Sequence, residues 1–438
     1  MKLRKIVLCL CVLALAFLAG CSVTTVEEMY AIPKRTDAYH DLQTVIDKAM
    51  SGLSYSAPLS GEYQQAVQMV DLDGDNVQEY LLFAKGGSDA PLQVLVFQQQ
   101  EDEFVHVDTV THSGSAFVQV EYAQMDDKPG VEIIIGCQIS DQLLRTMAVY
   151  SFNKGQMEQR MTASYTRFLT ADLDQDSFAE LFVLHPGEDA AENGVAEVYQ
   201  IKNGTMERSN EVAMSQPADK LKRIIVGKLH DVDTGVYVAS AVDENALVTD
   251  VFIYGEDKLT NVVVANESGT NVRTLRNYYV YAYDIDNDTV VELPDLTPML
   301  PVKEVQDRQD LVRWYAMTST GDEVLKNYTY HNFAGGWYVA LDEKYAKDIS
   351  VYNEGNAHQF YIWGDEQQDA KLLMTVYTLS GVNREEQARE EGYFVLLKTD
   401  TVIYAAALEA EAQKYGITQE SLVHSFYLIQ SAWKTGEI

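Results

Sequence analysis

Basic residues and cysteines are the scarce components of this 438-residue chain. Its 33 lysines and arginines face 66 acids, a formal net charge of −33. A nucleic-acid ligand requires a basic footprint against its phosphates, and the composition offers none. Of four cysteines, Cys9, Cys11 and Cys21 lie at the start of the chain, leaving Cys137 alone in the body. No disulfide can form within that body, so its stability has to come from packing or from metal. Cys137 ends the apolar run Ile133-Ile134-Ile135-Gly136, a setting for a small core residue rather than a nucleophile. Catalytic signatures are missing too: there is no Gly-x-Ser-x-Gly elbow, His-Glu-x-x-His, phosphate loop or dinucleotide fingerprint. With 47% hydrophobic residues and a mean hydropathy of −0.18, the chain is neither a multi-span membrane protein nor a disordered acidic tail.

What is present begins with the leader. Lys2, Arg4 and Lys5 precede an apolar run from Ile6 to Phe17, which meets Leu18-Ala19-Gly20-Cys21. A run this short ending in small residues reads as a secretion signal rather than a membrane span. Leu-Ala-Gly-Cys resembles the lipobox of bacterial lipoproteins. That resemblance implies cleavage after residue 20, lipid on the Cys21 thiol and a body tethered to the cell membrane outside the cytoplasm. Residues 21–59 would then be the tether and a short helix, in which Tyr39, Leu42, Val45, Ile46 and Ala49 form one apolar stripe.

From about residue 60 the chain repeats with a period near fifty residues, the range of propeller blades. In the first unit, Asp71-Leu72-Asp73-Gly74-Asp75-Asn76-Val77-Gln78-Glu79 lies between the apolar segments 67–70 and 80–84. The third carries Asp172-Leu173-Asp174-Gln175-Asp176-Ser177-Phe178-Ala179-Glu180, and the fifth Asp284-Ile285-Asp286-Asn287-Asp288-Thr289-Val290-Val291-Glu292. Degenerate second and fourth copies run from Gln124 to Glu132 and from Lys228 to Asp233. Further strand-like segments follow each loop, as at 92–98 and 104–112, with turn signals such as Asn203-Gly204. The expected fold is mainly β. It is a propeller of about five four-stranded blades over 60–333, followed by a small α+β domain over 334–438. Pro294, Pro298 and Pro301 are expected to interrupt a strand of the fifth unit.

Asp-x-Asp-x-Asp-x-x-x-Glu between two short strands resembles the FG-GAP/VCBS repeats of integrin-α-like propellers. The resemblance implies calcium held by side chains at the first, third, fifth and ninth loop positions and by the seventh carbonyl. Carried onto this sequence, the ligands are Asp71, Asp73, Asp75, the Val77 carbonyl and Glu79; Asp172, Asp174, Asp176, the Phe178 carbonyl and Glu180; and Asp284, Asp286, Asp288, the Val290 carbonyl and Glu292. Calcium takes six to eight oxygens in irregular cages, which such a loop can offer, although Asp also serves simply as a turn residue. The usual glycine at the sixth position is replaced by Asn76, Ser177 and Thr289.

In the last third, Thr418 caps a final helix whose Leu422, Phe426, Ile429 and Trp433 share one face. Two functions lead, ahead of a structural part in a larger envelope assembly. One is a non-enzymatic surface module binding an extracellular protein or glycan; the other is a cell-envelope polysaccharide hydrolase or lyase using acids in the propeller channel. The cluster His112-Ser113-Gly114-Ser115 has no partner acid that the sequence can place, and with 66 acids a carboxylate pair carries no information.

Overall fold

The computed structural model describes residues 37–429, apart from 88–90, 102, 140–144, 188–191, 233, 265–270, 279 and 305–306. The leader, Cys21 and Trp433 lie outside the described residues. Among these residues the chain forms six antiparallel sheets of four or five strands, one more than the repeat count. The first comprises Ser54–Tyr55, Val67–Val70, Glu79–Lys85, Leu92–Gln100 and Glu103–His112. The second holds Ala116–Ala123, Glu132–Gln138, Arg145–Asn153 and Gln156–Tyr165. Arg167–Ala171, Glu180–His185, Val195–Lys202 and Thr205–Arg208 build the third, with Val212–Ala213 beside them. The fourth contains Leu221–Gly227, Gly235–Ala241, Leu247–Gly255 and Lys258–Asn261.

One interior strand of each early sheet, Glu79–Lys85, Glu132–Gln138, Glu180–His185 and Gly235–Ala241 in turn, explains the packing. Successive side chains of a strand point to opposite faces, and here both faces are apolar. Leu81 and Phe83 enter a core with Ile133, Ile135 and Cys137 of the second sheet. Ile134 faces the other way, onto Leu181 and Val183 of the third. Phe182 and Leu184 then meet Val236 and Val238 of the fourth, and Tyr237 meets Leu293, Tyr315 and Met317 of the fifth. The sheets therefore stack face to face in chain order. Helix α1, Asp37–Ala49, places Leu42 and Ile46 against Leu82, Ala84, Leu95 and Phe97, covering the free face of the first sheet. Among the described residues no hydrophobic cluster joins the first sheet to the sixth, and neither lends the other a strand.

The fifth sheet departs from expectation in two ways. Its strand Glu292–Pro298 runs through Pro294 and Pro298 instead of being broken by them. This strand lies at the edge of the sheet, and Glu292 directs its N–H away from the neighbouring strand, to the Tyr283 carbonyl at 3.0 Å. Pro294 and Pro298 share that parity, so their missing N–H groups cost no ladder bond. The expected strand over 278–283 shrinks to a single bridge between Tyr283 and Glu292.

The boundary expected at residues 333–334 falls between Glu323–Asn332 and Trp337–Leu341, which pair as neighbours in the fifth sheet. The remaining strand of that sheet, Phe426–Leu428, returns from the chain's far end to pair with Trp337–Leu341. The final helix is thus shorter than its apolar pattern suggested: it covers Gln419–Ser425, and Phe426 already belongs to a strand. The sixth sheet contains Ile349–Glu354, Ala357–Ile362, Lys371–Ser380, Val402–Leu408 and Phe394–Lys398, and shares one core with the fifth through Tyr330, Trp337, Val351 and Phe360.

Cutting the chain after residue 333 should leave the strand Glu323–Asn332 with a bare edge and uncover Leu311, Tyr328 and Tyr330. A fragment spanning 37–333 is expected to aggregate or bind a hydrophobic dye, whereas 37–429 stays monomeric. Size-exclusion chromatography and dye fluorescence check this.

Candidate metal centres

Each acidic loop is organised by the glutamate that begins the following strand. Glu79 is buried and accepts from the Leu72 N–H, seven residues back, at 2.8 Å. The same clamp joins Glu180 to the Leu173 N–H at 2.7 Å and Glu292 to the Ile285 N–H at 3.0 Å. It draws the apolar second residue of each loop, Leu72, Leu173 or Ile285, into the core. The first-position acid then gathers backbone amides. Asp71 accepts from the N–H groups of Gly74 and Asn76 at 2.8 and 2.9 Å, and Asp172 and Asp284 accept from Ser177 and Thr289 at 3.1 and 2.9 Å.

These amide contacts wind the loop tightly. Asn76, Ser177 and Thr289 take φ of 68, 78 and 75°, so the sixth position is left-handed although none of the three is glycine. The cost for β-branched Thr289 is roughly 1–2 kcal/mol. The fourth position, Gly74, Gln175 and Asn287, is left-handed as well, at 74, 66 and 61°. Sequence reasoning missed that second requirement; Gly74 and Asn287 were its available signals.

The result brings three carboxylates together in every loop. Asp71, Asp73 and Glu79 offer oxygens within 4.8 Å of one another, as do Asp172, Asp174 and Glu180, and Asp284, Asp286 and Glu292. The fifth-position acids are used differently. Asp75, Asp176 and Asp288 each accept from the N–H two residues on, of Val77, Phe178 and Val290, at 2.7–2.9 Å. They fix the backbone at the residue whose carbonyl is the remaining expected ligand, and the second oxygen of Asp288 is taken by Lys326.

Two observations show that the three loops suit a hard cation. Every one contains a buried carboxylate oxygen without a protein partner: Asp73 Oδ1, Asp172 Oδ1 and Glu292 Oε1. The degenerate second loop supplies the contrast. Glu132 repeats the clamp, accepting from the Met125 N–H at 3.0 Å, but its other oxygen is satisfied by the Ser151 hydroxyl at 2.8 Å. Where the aspartate trio is absent, the glutamate is fully used by protein; where it is present, one buried carboxylate oxygen of the loop is left over, on Asp73, Asp172 or Glu292.

Electrostatics point the same way. Burial lifts the Glu79 and Glu180 carboxyls from the usual 4.5 to about 7, and Glu292 to about 8, with the neighbouring aspartates adding repulsion. Asp73, Asp174 and Asp286 are raised as well, first by burial and then by adjacent acids. A cation among these groups would offset both the burial and the repulsion by favouring the charged carboxylates.

The first two loops touch. The Val131 N–H donates to the Leu72 carbonyl at 3.2 Å, and a Cβ on Gly130 would lie 2.2 Å from that oxygen. A cavity of about 460 Å³ opens beside this contact, lined by Asp73, Asp75, Lys128, Glu132 and Arg160 among others.

The other candidates resolve as core. Cys137 is buried and its thiol is pushed up to about 12 by desolvation. His112 is buried against Phe117 and Tyr150 and pushed down to about 4, with Ser115 hydrogen-bonded to the Gln138 carbonyl instead. Trp314 and Trp337 are fully buried.

No protein-family model matches the chain, and no curated protein does. Among solved structures, Sqt1 from Chaetomium thermophilum overlaps at a TM-score of 0.31 and 10% identity, covering 82% of this chain and all of the other. The exotype rhamnogalacturonan lyase YesX gives 0.27 at 11% identity, with coverage of 73% here and 63% there, so this chain spans less than two thirds of that enzyme. A protein from Lactobacillus plantarum gives 0.26 at 9% identity, with 72% and 86% covered. Overlaps of this size assign neither family nor activity.

The raised carboxyls set a pH dependence. In the metal-free protein their folded form holds protons that the unfolded chain releases near 4.5, so their contribution favours folding below that pH. It is lost as pH rises through about 7 for Glu79 and Glu180 and about 8 for Glu292. Metal-free protein should therefore lose melting temperature between about pH 4.5 and 8. The triple variant Glu79→Gln, Glu180→Gln, Glu292→Gln should show a flatter profile in the same calorimetric scan.

Proposed function

We propose that this protein is a lipid-anchored, extracytoplasmic recognition module, a propeller-like array of blades of the FG-GAP/VCBS type stabilised by calcium. The observation that carries the metal assignment is the leftover buried oxygen in each of the three acidic loops, against its absence in the Glu132 loop. Calcium would be held by Asp71, Asp73 and Glu79; by Asp172, Asp174 and Glu180; and by Asp284, Asp286 and Glu292, with the fifth-position acids and the Val77, Phe178 and Val290 carbonyls completing each set. Its role is structural, cancelling the mutual repulsion of acids at the point where a loop enters its blade.

The lipid on Cys21 would hold the body at the membrane, since a surface of this negative charge gains nothing from anionic headgroups. Binding of an extracellular protein or glycan is favoured over polysaccharide cleavage by where the raised glutamates of the three acidic loops sit. Glu79, Glu180 and Glu292 occupy three separate loops, each engaged with backbone, rather than facing one another across a common cleft.

Calcium in tenfold excess over its dissociation constant stabilises the folded state by about 1.4 kcal/mol per site. Removing it with a chelator should lower the melting temperature by several degrees, and Asp71→Ala or Asp172→Ala should reduce the size of that drop. An unchanged melting curve in all three measurements would refute the calcium reading. For the anchor, Cys21→Ser should move the protein from the membrane fraction to the soluble fraction, followed by immunoblot.

A further inference from the structure

The loops differ in what reaches them from the neighbouring strands. In the first sheet, Gln98 stands across from Glu79 and its amide lies 3.3 Å from Glu79 Oε1 and 3.4 Å from Asp73 Oδ2. One strand further out, the ladder skips Val107, a bulged residue that is uncharged. The second and fifth sheets have a bulge at the same place, and both fill it with a cation. In the second sheet the skipped residue is Arg160, whose Nε donates to Ser151 Oγ at 2.9 Å, and that hydroxyl donates in turn to Glu132. The fifth skips Lys326, and here the residue opposite Glu292 is Ala316, which has no polar side chain to offer the loop. Lys326 Nζ reaches the loop itself and pairs with Asp288 Oδ2, while Asp286 and Glu292 lie close enough to act on its charge. Glu292 is fully buried and keeps Oε1 unpartnered, so the ammonium does not satisfy the whole cage.

We propose that Lys326 is the resident counter-cation of the 284–292 loop, and that a divalent cation entering this loop has to compete with it. In the three sheets that carry it, the bulged position of the outer strand thereby sets whether a protein cation reaches the loop; the ladder of the third sheet skips no residue there. Uncharged Val107 leaves the first loop to the metal. Arg160, with the Lys128–Asp126 ion pair at 2.7 Å, makes the second loop independent of metal. Lys326 makes the fifth-unit loop conditional, intact without metal and the last of the three to load. Displacing it needs no folding event, because the side chain is still partly solvent-accessible and swings away on a flexible stem.

This inference rests on the calcium reading given above, and the test separates the two. Calcium alone is titrated into the chelator-stripped, full-length protein by isothermal titration calorimetry. The wild type should show two tighter sites and one weaker site, the weaker one lost in Asp284→Asn. Lys326→Met should tighten that site by about fivefold, the scale of removing one partly exposed ion pair, without moving the other two. Lys326→Arg, which keeps the charge and guards against a packing effect, should retain the weak site. Tighter sites present but an unchanged or weakened third site in Lys326→Met would overturn the role of Lys326 alone. No heat of binding in any variant would overturn both readings.

Discussion

The hydrogen bond from a loop amide to a buried glutamate seven residues later is the constraint on which four of the six sheets depend. A carboxylate in an apolar setting is costly unless it is paired, and the chain pairs it with a backbone N–H that the tight loop would otherwise strand. In one contact the clamp fixes the loop length, brings the preceding apolar residue into the core and starts the next strand in register. Glu132 shows that this architecture stands without the aspartate trio. The cation sites are additions to the clamp rather than its cause, built by placing two further acids where the glutamate already points.

The stacking of sheets follows from strands that are apolar on both faces. A sheet with two greasy faces needs a partner on each side, and the run of cores from the first sheet to the sixth supplies one for every interior face. The ends of such a stack are the difficulty. Helix α1 solves it for the first sheet with Leu42 and Ile46. At the other end, Leu379, Ile403 and Ala405 of the sixth sheet are covered by Ala388 and Tyr393 from the segment around Arg384–Gln387. Phe426–Leu428, where the chain returns from the sixth sheet, is paired into the fifth beside Trp337–Leu341.

Much of this was legible in the chain. The segments expected at 67–70, 80–84, 92–98 and 104–112 all fall within strands of the first sheet, because short apolar runs between turn signals leave little other choice. Leu42, Val45, Ile46 and Ala49 of α1 pack against the first sheet as their spacing implied. The aspartate pattern located all three carboxylate clusters, since alternate positions of one short loop are close in space whatever surrounds them. Failures came where a local rule met a non-local partner. Pro294 and Pro298 looked like breakers, yet an edge strand asks for no amide on that side. Phe426 looked helical, but the open edge of Trp337–Leu341 offered its backbone a ladder.

The sequence alone determined the period, the strands and the carboxylates of each loop, because all of these arise from residues within about ten positions of one another. Only the tertiary structure decided which of those carboxylates keeps a free oxygen and which loop already has a positive charge. Those answers come from Ser151, Gln98, Arg160 and Lys326, which are brought to the loops by strand pairing and by a single skipped residue in a ladder. Register is a property of two strands at once, so no reading of one segment contains it.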